Sequence, residues 1–173
     1  MGLYQKENAP KGPAGSGALP VVVKIAPLLS EDVILFPAEG VDKTAILEQL
    51  TAAVCRKAGQ DPAAALAKVH EREAGISTTL DTGLSLPHAR LPGIDGILAG
   101  LAVLKTPLVD PKQPELSIRA VFLFFSPDKP GAFPLHLQLL RGVASLFQAP
   151  LIEKLSAANG PADALALVRK SEG

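Results

Sequence analysis

The group in this sequence best placed for nucleophilic chemistry is a histidine at the end of a short apolar stretch. Residues 83–90 read GLSLPHAR. In a pleated strand Leu84, Leu86 and His88 project to one face, and the two leucines mark that face as buried. Pro87 has no amide hydrogen and suits a strand end, so the pattern predicts a strand that stops at His88, near solvent. An imidazole there can act as a nucleophile or serve only as a structural residue.

A second histidine, His136, is predicted to lie near the start of a helix with its ring on the apolar face. Its spacing to Leu140, Val143 and Phe147 follows the helical repeat. The first turn of a helix offers unpaired amide hydrogens and a dipole that favours an anion. The pattern is typical of an anion-binding imidazole, but a core histidine with one hydrogen bond gives the same pattern.

Arg72 is the third candidate, because a guanidinium presents a planar fork of donors that matches a phosphate. It is predicted to end a helix over residues 62–73, just before the polar run Ser77-Thr78-Thr79. The alternative interpretation is an ordinary cation at a helix C-terminus, where the helix dipole stabilises positive charge.

Local start and stop signals predict the helices that hold these residues. Asp42 is a candidate N-cap and Gly59 a terminator, which together predict a helix that ends at about Ala58. Asp61-Pro62 combines a cap with a proline at the first helical position, and it predicts the helix that carries Arg72. Further helices are predicted over residues 134–148, 149–158 and 162–170.

Strands are predicted between the helices, at residues 21–25, 33–36, 97–104 and 116–125, besides the one before His88. The last of these four is apolar almost throughout, which is typical of a strand buried on both faces. Because helices and strands interleave, the sequence predicts an α/β or mixed α+β fold: a single domain with a mixed β-sheet covered by helices. Residues 1–20 hold four glycines and three prolines, and we expect a flexible leader there, before a domain over residues 21–173.

The composition bounds the class of protein. The chain has 173 residues, 47% of them hydrophobic, which is enough for one domain with a sizeable core. Lys plus Arg number 17 and Asp plus Glu number 17, so the charge balance indicates no nucleic-acid partner and no anionic membrane surface. A lone cysteine, Cys55, excludes an intrachain disulfide. No apolar run approaches the roughly 20 residues that cross a bilayer, so we expect a soluble cytoplasmic protein without membrane insertion.

Five short motifs follow one another along the chain: Glu71-Arg72-Glu73, Ser77-Thr78, Gly83, Pro87-His88 and Leu135-His136-Leu137. In this order they resemble the IIA domain of the bacterial phosphoenolpyruvate-dependent phosphotransferase system, in its fructose, mannitol and nitrogen-regulatory (type 2) branch. The likeness extends from about Leu28 to Val168. It departs from the family pattern at Leu84-Ser85-Leu86, where isoleucine-alanine-isoleucine is more usual. The leader has no counterpart in the family.

The resemblance implies a function that the residues alone leave open. It implies that His88 accepts a phosphoryl group on a ring nitrogen and that Arg72 and His136 surround this group. Thr78 either donates its hydroxyl there or packs a turn. The domain would then be a phosphotransferase that acts through a phosphohistidine. Its implied donor is a small HPr-like phosphocarrier protein, and its implied acceptor is a IIB component or a regulatory target. No metal or other cofactor is implied.

Docking of such partners calls for a mostly apolar surface around the reactive histidine. The flanking segments supply the candidates Leu91, Pro92, Ile94 and Phe133. Arg90 would add a charge at the rim of that surface or remain a solvated loop residue.

Other functions stay open at this point. A regulatory binding module of the same fold would contact target proteins according to its phosphorylation state, and the sequence does not separate it from a sugar-transport component. A metal-dependent hydrolase would use His88 and His136 with a carboxylate, but the sequence has no His-x-x-x-His pattern. A serine hydrolase is disfavoured because the stretch around Ser85 runs into Pro87 and lacks the Gly-x-Ser-x-Gly elbow.

Overall fold

A mixed sheet of five strands organises residues 23–173, the part of the chain that the computed structural model describes. The strands are β1 (Ile34–Leu35), β2 (Leu84–Ser85), β3 (His88–Leu91), β4 (Leu98–Val109) and β5 (Ser117–Pro127). β5 is central: it pairs antiparallel with β4 on one edge and parallel with both β2 and β3 on the other. β1 pairs parallel with β4. The predicted mixed sheet is confirmed.

Helices cover this sheet, as predicted. Within residues 23–173 they are α1 (Lys43–Ala58), α2 (Pro62–Glu73), α3 (Phe133–Leu146), α4 (Ala149–Ser156) and α5 (Pro161–Glu172). α1 lies against β4, α2 against α1 and β3, α3 and α4 against β5, and α5 against β1. Of these described helices, none combines the length and the apolar character that a bilayer crossing requires.

Side-chain caps set the helix boundaries around the site. The Asp42 carboxylate accepts a hydrogen bond from the Ala45 amide at 2.8 Å and starts α1. Gly59 ends α1 with φ at 66°, a left-handed conformation that glycine adopts without steric cost. Asp61 accepts from the Ala63 amide at 3.1 Å, and Pro62 follows as the first residue of α2. Both predicted helices are confirmed at these ends.

The core of the sheet is the middle of β5. Residues Val121–Phe125 are completely inaccessible to solvent, which confirms the prediction of a strand buried on both faces. The rings of Phe122 and Phe147, the latter directly after α3, lie 5.4 Å apart between centroids. Burial of each such side chain contributes roughly 1.5–3 kcal/mol. The strand is therefore a rigid support for groups that lie along its edge.

The predicted strand at residues 21–25 is wrong where the structure describes it. Residues 23–25 pair with no strand of the described chain, and a single 3₁₀ turn, Ala26–Leu28, follows them. The reason is a distant carboxylate: Glu172 accepts from the amides of Ile25 and Ala26, at 2.6 Å and 3.0 Å, in place of a neighbouring strand. Residues 21 and 22 and the predicted leader at residues 1–20 lie outside the described residues.

The predicted strand that stops at His88 is also wrong, because His88 begins β3. β2 and β3 run along β5 in one register, with Leu84 opposite Ala120 and His88 opposite Phe124. Between them the strand assignment is interrupted at residues 86–87: Pro87 has no amide to donate, although its carbonyl accepts from the Phe124 amide at 3.2 Å. All residues from 83 to 89 are buried, so the face with Leu84 and Leu86 is buried as predicted, and the opposite face is buried as well.

The close approach of α1 to the sheet depends on a glycine in β4. A Cβ added at Gly100 would lie 2.7 Å from Cγ2 of Val54, 2.9 Å from Cδ1 of Leu50 and 3.1 Å from the carbonyl oxygen of Val33. Because a backbone oxygen stands among these atoms, the strain cannot be relieved by side-chain motion alone. We predict that Gly100→Ala lowers the free energy of unfolding by about 1–3 kcal/mol in urea titrations.

The matched control is Gly96→Ala, since an added Cβ there meets no atom of the described chain within 4 Å. We expect this variant to change stability by less than about 0.5 kcal/mol. Equal stability of the two variants would show that α1 does not press on the sheet at this point.

Candidate functional site

The His88 imidazole is fixed by its own backbone and by β5. Its Nδ1 lies 2.7 Å from the carbonyl oxygen of Leu86, and because a carbonyl can only accept, Nδ1 carries the ring proton. Nε2 is then the nitrogen with the free lone pair. The ring stacks on Phe124, the residue opposite it in β5, with centroids 5.4 Å apart and planes 12° apart. Only 7% of His88 is exposed to solvent.

The exposed edge of His88 faces an open cleft of about 570 Å³. The cleft lies between the C-terminal end of α2, the first residues of β3 and the first turn of α3. The residues that line it are Lys68, Glu71, Arg72, Gly75, His88, Ala89, Arg90, Asp128 and His136. Three cations thus surround one imidazole, together with two carboxylates, so the cleft has the charge pattern of an anion-binding site.

His136 stands beside His88 in this cleft. It is the fourth residue of α3, and the two ring centroids are 5.3 Å apart. Its Nδ1 lies 2.6 Å from the hydroxyl oxygen of Ser126, a completely buried residue of β5. The Phe133 ring lies parallel to the His136 ring at 6.3 Å. His136 is therefore held from two sides, and its Nδ1 shares a hydrogen bond with a hydroxyl that can either donate or accept.

Burial favours the neutral form of both rings. Burial lowers the pKa of His88, the hydrogen bond to Leu86 opposes this shift, and the charge of Arg72 lowers the pKa further. Burial lowers the pKa of His136 to about 4, with added contributions from His88 and from the cations Arg90 and Arg72. Neutral imidazoles leave one nitrogen lone pair available on each ring.

The two arginines of the cleft differ in what their guanidinium groups already bind. Arg72 is exposed and donates from Nη1 to the carbonyl of Ile76 at 3.1 Å. Arg90 donates from Nη2 to the carbonyls of Pro127 and Lys129, at 3.3 Å and 2.5 Å, and its Nη1 lies 3.8 Å from Asp128. The two terminal nitrogens of Arg90 are therefore engaged by the segment between β5 and α3, while its Nε has no partner within the described residues; Arg72 keeps more donors for a ligand.

Thr78, the remaining sequence candidate, lies outside the cleft. Its hydroxyl donates to the Glu73 carboxylate at 2.9 Å, and the same carboxylate accepts from Lys43 at 3.1 Å. The structure thus brings together His88, Arg72 and His136 but keeps Thr78 at the far side of the end of α2. Among residues 23–173, no three His, Cys, Asp or Glu side chains are grouped as they would be around a metal ion.

The sequence analysis did not identify Ser126, and it was wrong about two residues of the expected docking surface. Ser126 directly follows the apolar run of β5, and a buried polar residue at that point is the signal that was available. Leu91 and Ile94, expected to line a docking surface, are buried at 6% and 4% exposure because they pack into the core. Phe133, the other large apolar candidate, is 48% exposed.

Comparisons with known proteins identify the family to which this sequence and fold belong. A family model described as the phosphoenolpyruvate-dependent sugar phosphotransferase system, EIIA 2, matches residues 27–171. A nitrogen regulatory protein of Bradyrhizobium diazoefficiens is 28% identical over 141 residues, which cover 82% of this chain and 91% of that protein. These matches confirm the resemblance drawn from the sequence motifs.

Solved structures share the fold at low sequence identity. The nitrogen regulatory protein IIA-Ntr of Neisseria meningitidis superposes with a TM-score of 0.71 at 20% identity, over 83% of this chain and 97% of that one. The mannitol enzyme IIA of Escherichia coli, in its complex with phosphorylated enzyme IIB, gives a TM-score of 0.66 at 12% identity, over 82% and 97% of the two chains. Because the family model spans most of the chain, this protein belongs to the EIIA 2 family of the phosphoenolpyruvate-dependent sugar phosphotransferase system.

Proposed function

We propose that this protein is a phosphohistidine carrier in which Nε2 of His88 accepts a phosphoryl group from a small HPr-like phosphocarrier protein. The observation that carries the proposal is the hydrogen bond from Nδ1 to the Leu86 carbonyl, which leaves Nε2 unprotonated beside a cationic cleft. The low pKa of His88 supports the same assignment, because it keeps the nucleophile neutral at physiological pH.

The transfer step needs no proton movement at His88. The Nε2 lone pair attacks phosphorus, a nitrogen–phosphorus bond forms, and the bond between phosphorus and the donor's leaving group breaks. The ring then bears a positive charge, which the Leu86 carbonyl stabilises through the Nδ1 proton that it already binds. Onward transfer reverses these events, and Nε2 recovers its lone pair.

Arg72 and His136 are the groups that we assign to the phosphoryl oxygens. Arg72 offers the donors that its bond to Ile76 leaves free. His136 serves as a neutral donor if the Ser126 hydroxyl donates to its Nδ1, since the ring proton is then on Nε2, within the cleft. Such fixed donors stabilise charge that spreads over the oxygens during transfer. No metal or nucleotide takes part in this scheme. We assign Thr78 a packing role through Glu73.

The rim of the cleft suits a protein donor and a protein acceptor. Ile76, Phe133 and Leu137 are exposed at 80%, 48% and 42%, in the segment after α2 and on α3, and large exposed apolar side chains are typical of interface cores. The related mannitol enzyme IIA is known in a complex with phosphorylated IIB, which supports a IIB component as the acceptor. We place these encounters in the cytoplasm.

A regulatory role is the second candidate for the use of the phosphoryl group. The relative with 28% identity is a nitrogen regulatory protein, and the superposed Neisseria structure is named in the same way. In this version the phosphorylation state of His88 governs contact with a target protein, through the same rim. Both versions require the same first step.

That first step can be tested by intact mass spectrometry after incubation with phosphoenolpyruvate and the general phosphotransferase proteins. We expect the mass of one phosphoryl group to be added, and to be lost on mild acid treatment. His88→Ala abolishes the addition while the circular dichroism spectrum stays unchanged. His70→Ala is the matched control, because His70 is an exposed residue of α2 outside the cleft. An unmodified wild-type protein, or a phosphorylated His88→Ala variant, would contradict the proposal.

Removing the Ser126 hydroxyl should slow transfer without removing the nucleophile. Ser126→Ala leaves Nδ1 of His136 buried without its partner and frees the other tautomer, so the donor aimed at the phosphoryl group is lost. We predict roughly tenfold slower phosphorylation in rapid-quench kinetics. Ser117→Ala, at the exposed start of β5, is the control. Equal rates for the two variants would reject the role of His136.

The low histidine pKa values also predict how stability depends on pH. The unfolded chain binds a proton at His136 near pH 6.5, whereas the folded chain binds it only at about pH 4. The contribution of neutral His136 to folding stability is complete above pH 6.5, and it is lost as the pH falls from 6.5 to about 4. For His136 alone we expect about 2 kcal/mol less stability at pH 5 than at pH 7, measured by urea unfolding. Burial of His88 acts in the same direction.

His136→Gln removes the titrating group, so this variant should lose less stability between pH 7 and pH 5 than the wild type. The buried carboxylate Asp110 contributes little in this range. Its pKa is held below the usual value of 3.8, so it takes up a proton only at a pH below the range from 5 to 7. Identical pH dependence in the variant and the wild type would show that His136 is protonated normally.

A further inference from the structure

A buried carboxylate outside the cleft, Asp110, anchors the segment that carries Arg72. It directly follows β4, on the loop that joins β4 to β5, and its side chain is completely inaccessible to solvent. It accepts hydrogen bonds from the hydroxyls of Ser77, at 2.9 Å, and Thr79. The amide of Lys112 donates to it at 2.8 Å, and the Lys43 ammonium lies 3.9 Å away. The Lys112 amide and the Lys43 ammonium can only donate, and both hydroxyls are able to donate, so the site suits a charged carboxylate.

The ionised form of Asp110 is the stable one at neutral pH. Burial raises its pKa, but the hydrogen bonds from Thr79, Lys112 and Ser77 and the Lys43 charge outweigh burial and hold the pKa below its usual range. A protonated or amide side chain would lose the attraction to the Lys43 ammonium, and its new donor would require the Ser77 and Thr79 hydroxyls to accept instead of donating. The observed set of hydrogen bonds therefore favours the negative charge.

A second carboxylate, Glu73, binds the same segment, so that Asp110 and Glu73 together clamp residues 75–79. Glu73, the last residue of α2, is 7% exposed and accepts from Lys43 at 3.1 Å and from the Thr78 hydroxyl at 2.9 Å. Lys112 donates from Nζ to the carbonyls of Glu73 and Gly75, the latter at 3.0 Å. All three hydroxyls of residues 77–79 are thus bound by two carboxylates, and the end of α2 is tied to the β4–β5 loop.

These bonds reach the cleft through Arg72. Arg72 precedes Glu73 in the last turn of α2, and its Nη1 donates to the carbonyl of Ile76, which lies inside the clamped segment. The guanidinium is therefore held by a backbone segment whose own position is set by Asp110, Glu73 and Lys112. Arg72 itself is exposed and has no side-chain packing comparable to that of the buried carboxylates, so this backbone is its main support.

We propose that Asp110 is a positioning residue for phosphoryl transfer: by fixing residues 75–79 it holds the Arg72 guanidinium beside His88. The inference rests on the proposed function, in which Arg72 binds the phosphoryl oxygens. A small displacement of a group that contacts the reacting atoms is enough to slow a reaction by up to about a hundredfold. Asp110 touches none of those atoms, so its effect passes through Arg72.

The test compares Asp110→Asn with Glu115→Gln, which removes an exposed charge from the same loop. Rates of His88 phosphorylation are measured over a range of donor-protein concentrations. For Asp110→Asn we expect the maximal rate to fall by about tenfold to a hundredfold, while the donor concentration at half-maximal rate changes by less than about twofold. Glu115→Gln retains the wild-type values. A normal maximal rate in Asp110→Asn would overturn the inference.

Two further variants separate positioning from a general loss of stability. Thr79→Val removes one hydroxyl that donates to Asp110, and Thr79→Ser retains it, so the first should slow transfer and the second should not. In an Arg72→Met background, Asp110→Asn should cause no additional loss, because both act through one guanidinium. Equal rates for the two Thr79 variants, or a full additional loss in the double variant, would contradict the role. If Asp110→Asn does not fold, the Thr79 pair decides.

Failure of the inference can be told from failure of the proposed function. A wild-type protein that accepts no phosphoryl group overturns the proposed function and the role of Asp110 with it. A wild-type protein that is phosphorylated at the same rate as Asp110→Asn overturns the inference alone. Amide hydrogen exchange in the unphosphorylated protein adds a readout that does not involve transfer. Residues 75–79 should exchange faster in Asp110→Asn than in Glu115→Gln, and equal exchange would show that Asp110 does not fix this segment.

Discussion

The hydrogen bond between the His88 ring and the Leu86 carbonyl is the interaction on which the site depends. It forms between residues two apart in the chain, at the interruption of residues 86–87 between β2 and β3. The Leu86 carbonyl accepts from the imidazole, and this selects the ring nitrogen that faces the cleft with a lone pair. Pro87 makes the interruption tolerable, because it has no amide hydrogen that would be left unpaired.

Strand β5 supports both histidines through residues that lie opposite β3. Phe124 lies opposite His88 and stacks under its ring, and Ser126 lies opposite Arg90 and binds His136. Residues two apart in a strand share a face, so one rigid strand sets the position of both histidines relative to each other. The complete burial of its central residues explains why this arrangement is rigid. The third group, Arg72, lies on a helix end and is held from the β4–β5 loop.

The parts of the fold that the sequence predicts well are those fixed by neighbouring residues. The caps at Asp42 and Asp61 and the terminator Gly59 act within one helical turn, so the ends of α1 and α2 follow from local spacing. The apolar run of β5 is long enough to identify a central strand without knowledge of its partners. The motif order from Arg72 to His136 predicts the family because these residue types follow one another at the family's spacing.

The features that the sequence did not predict depend on contacts between residues far apart in the chain. Period-two alternation identifies the buried face of residues 84–88, but it does not reveal that the opposite face is buried too. The strand predicted at residues 21–25 fails in its described part because Glu172, at the other end of the chain, occupies the amides of Ile25 and Ala26. No local pattern reveals that Asp110 binds Ser77 and Thr79 or that Glu73 binds Thr78, so the motif suggested a place in the site for Thr78, which the structure puts outside the cleft.

Long-range nitrogen–proton NMR correlation on the ¹⁵N-histidine-labelled protein tests the central claim most directly, because it identifies the protonated nitrogen of each ring. At pH 7 the account predicts that His88 carries its proton on Nδ1, and that after phosphorylation the phosphorus is coupled to Nε2 while the Nδ1 proton remains. A His88 ring protonated on Nε2 in the free protein, or a phosphoryl group on Nδ1, would contradict it.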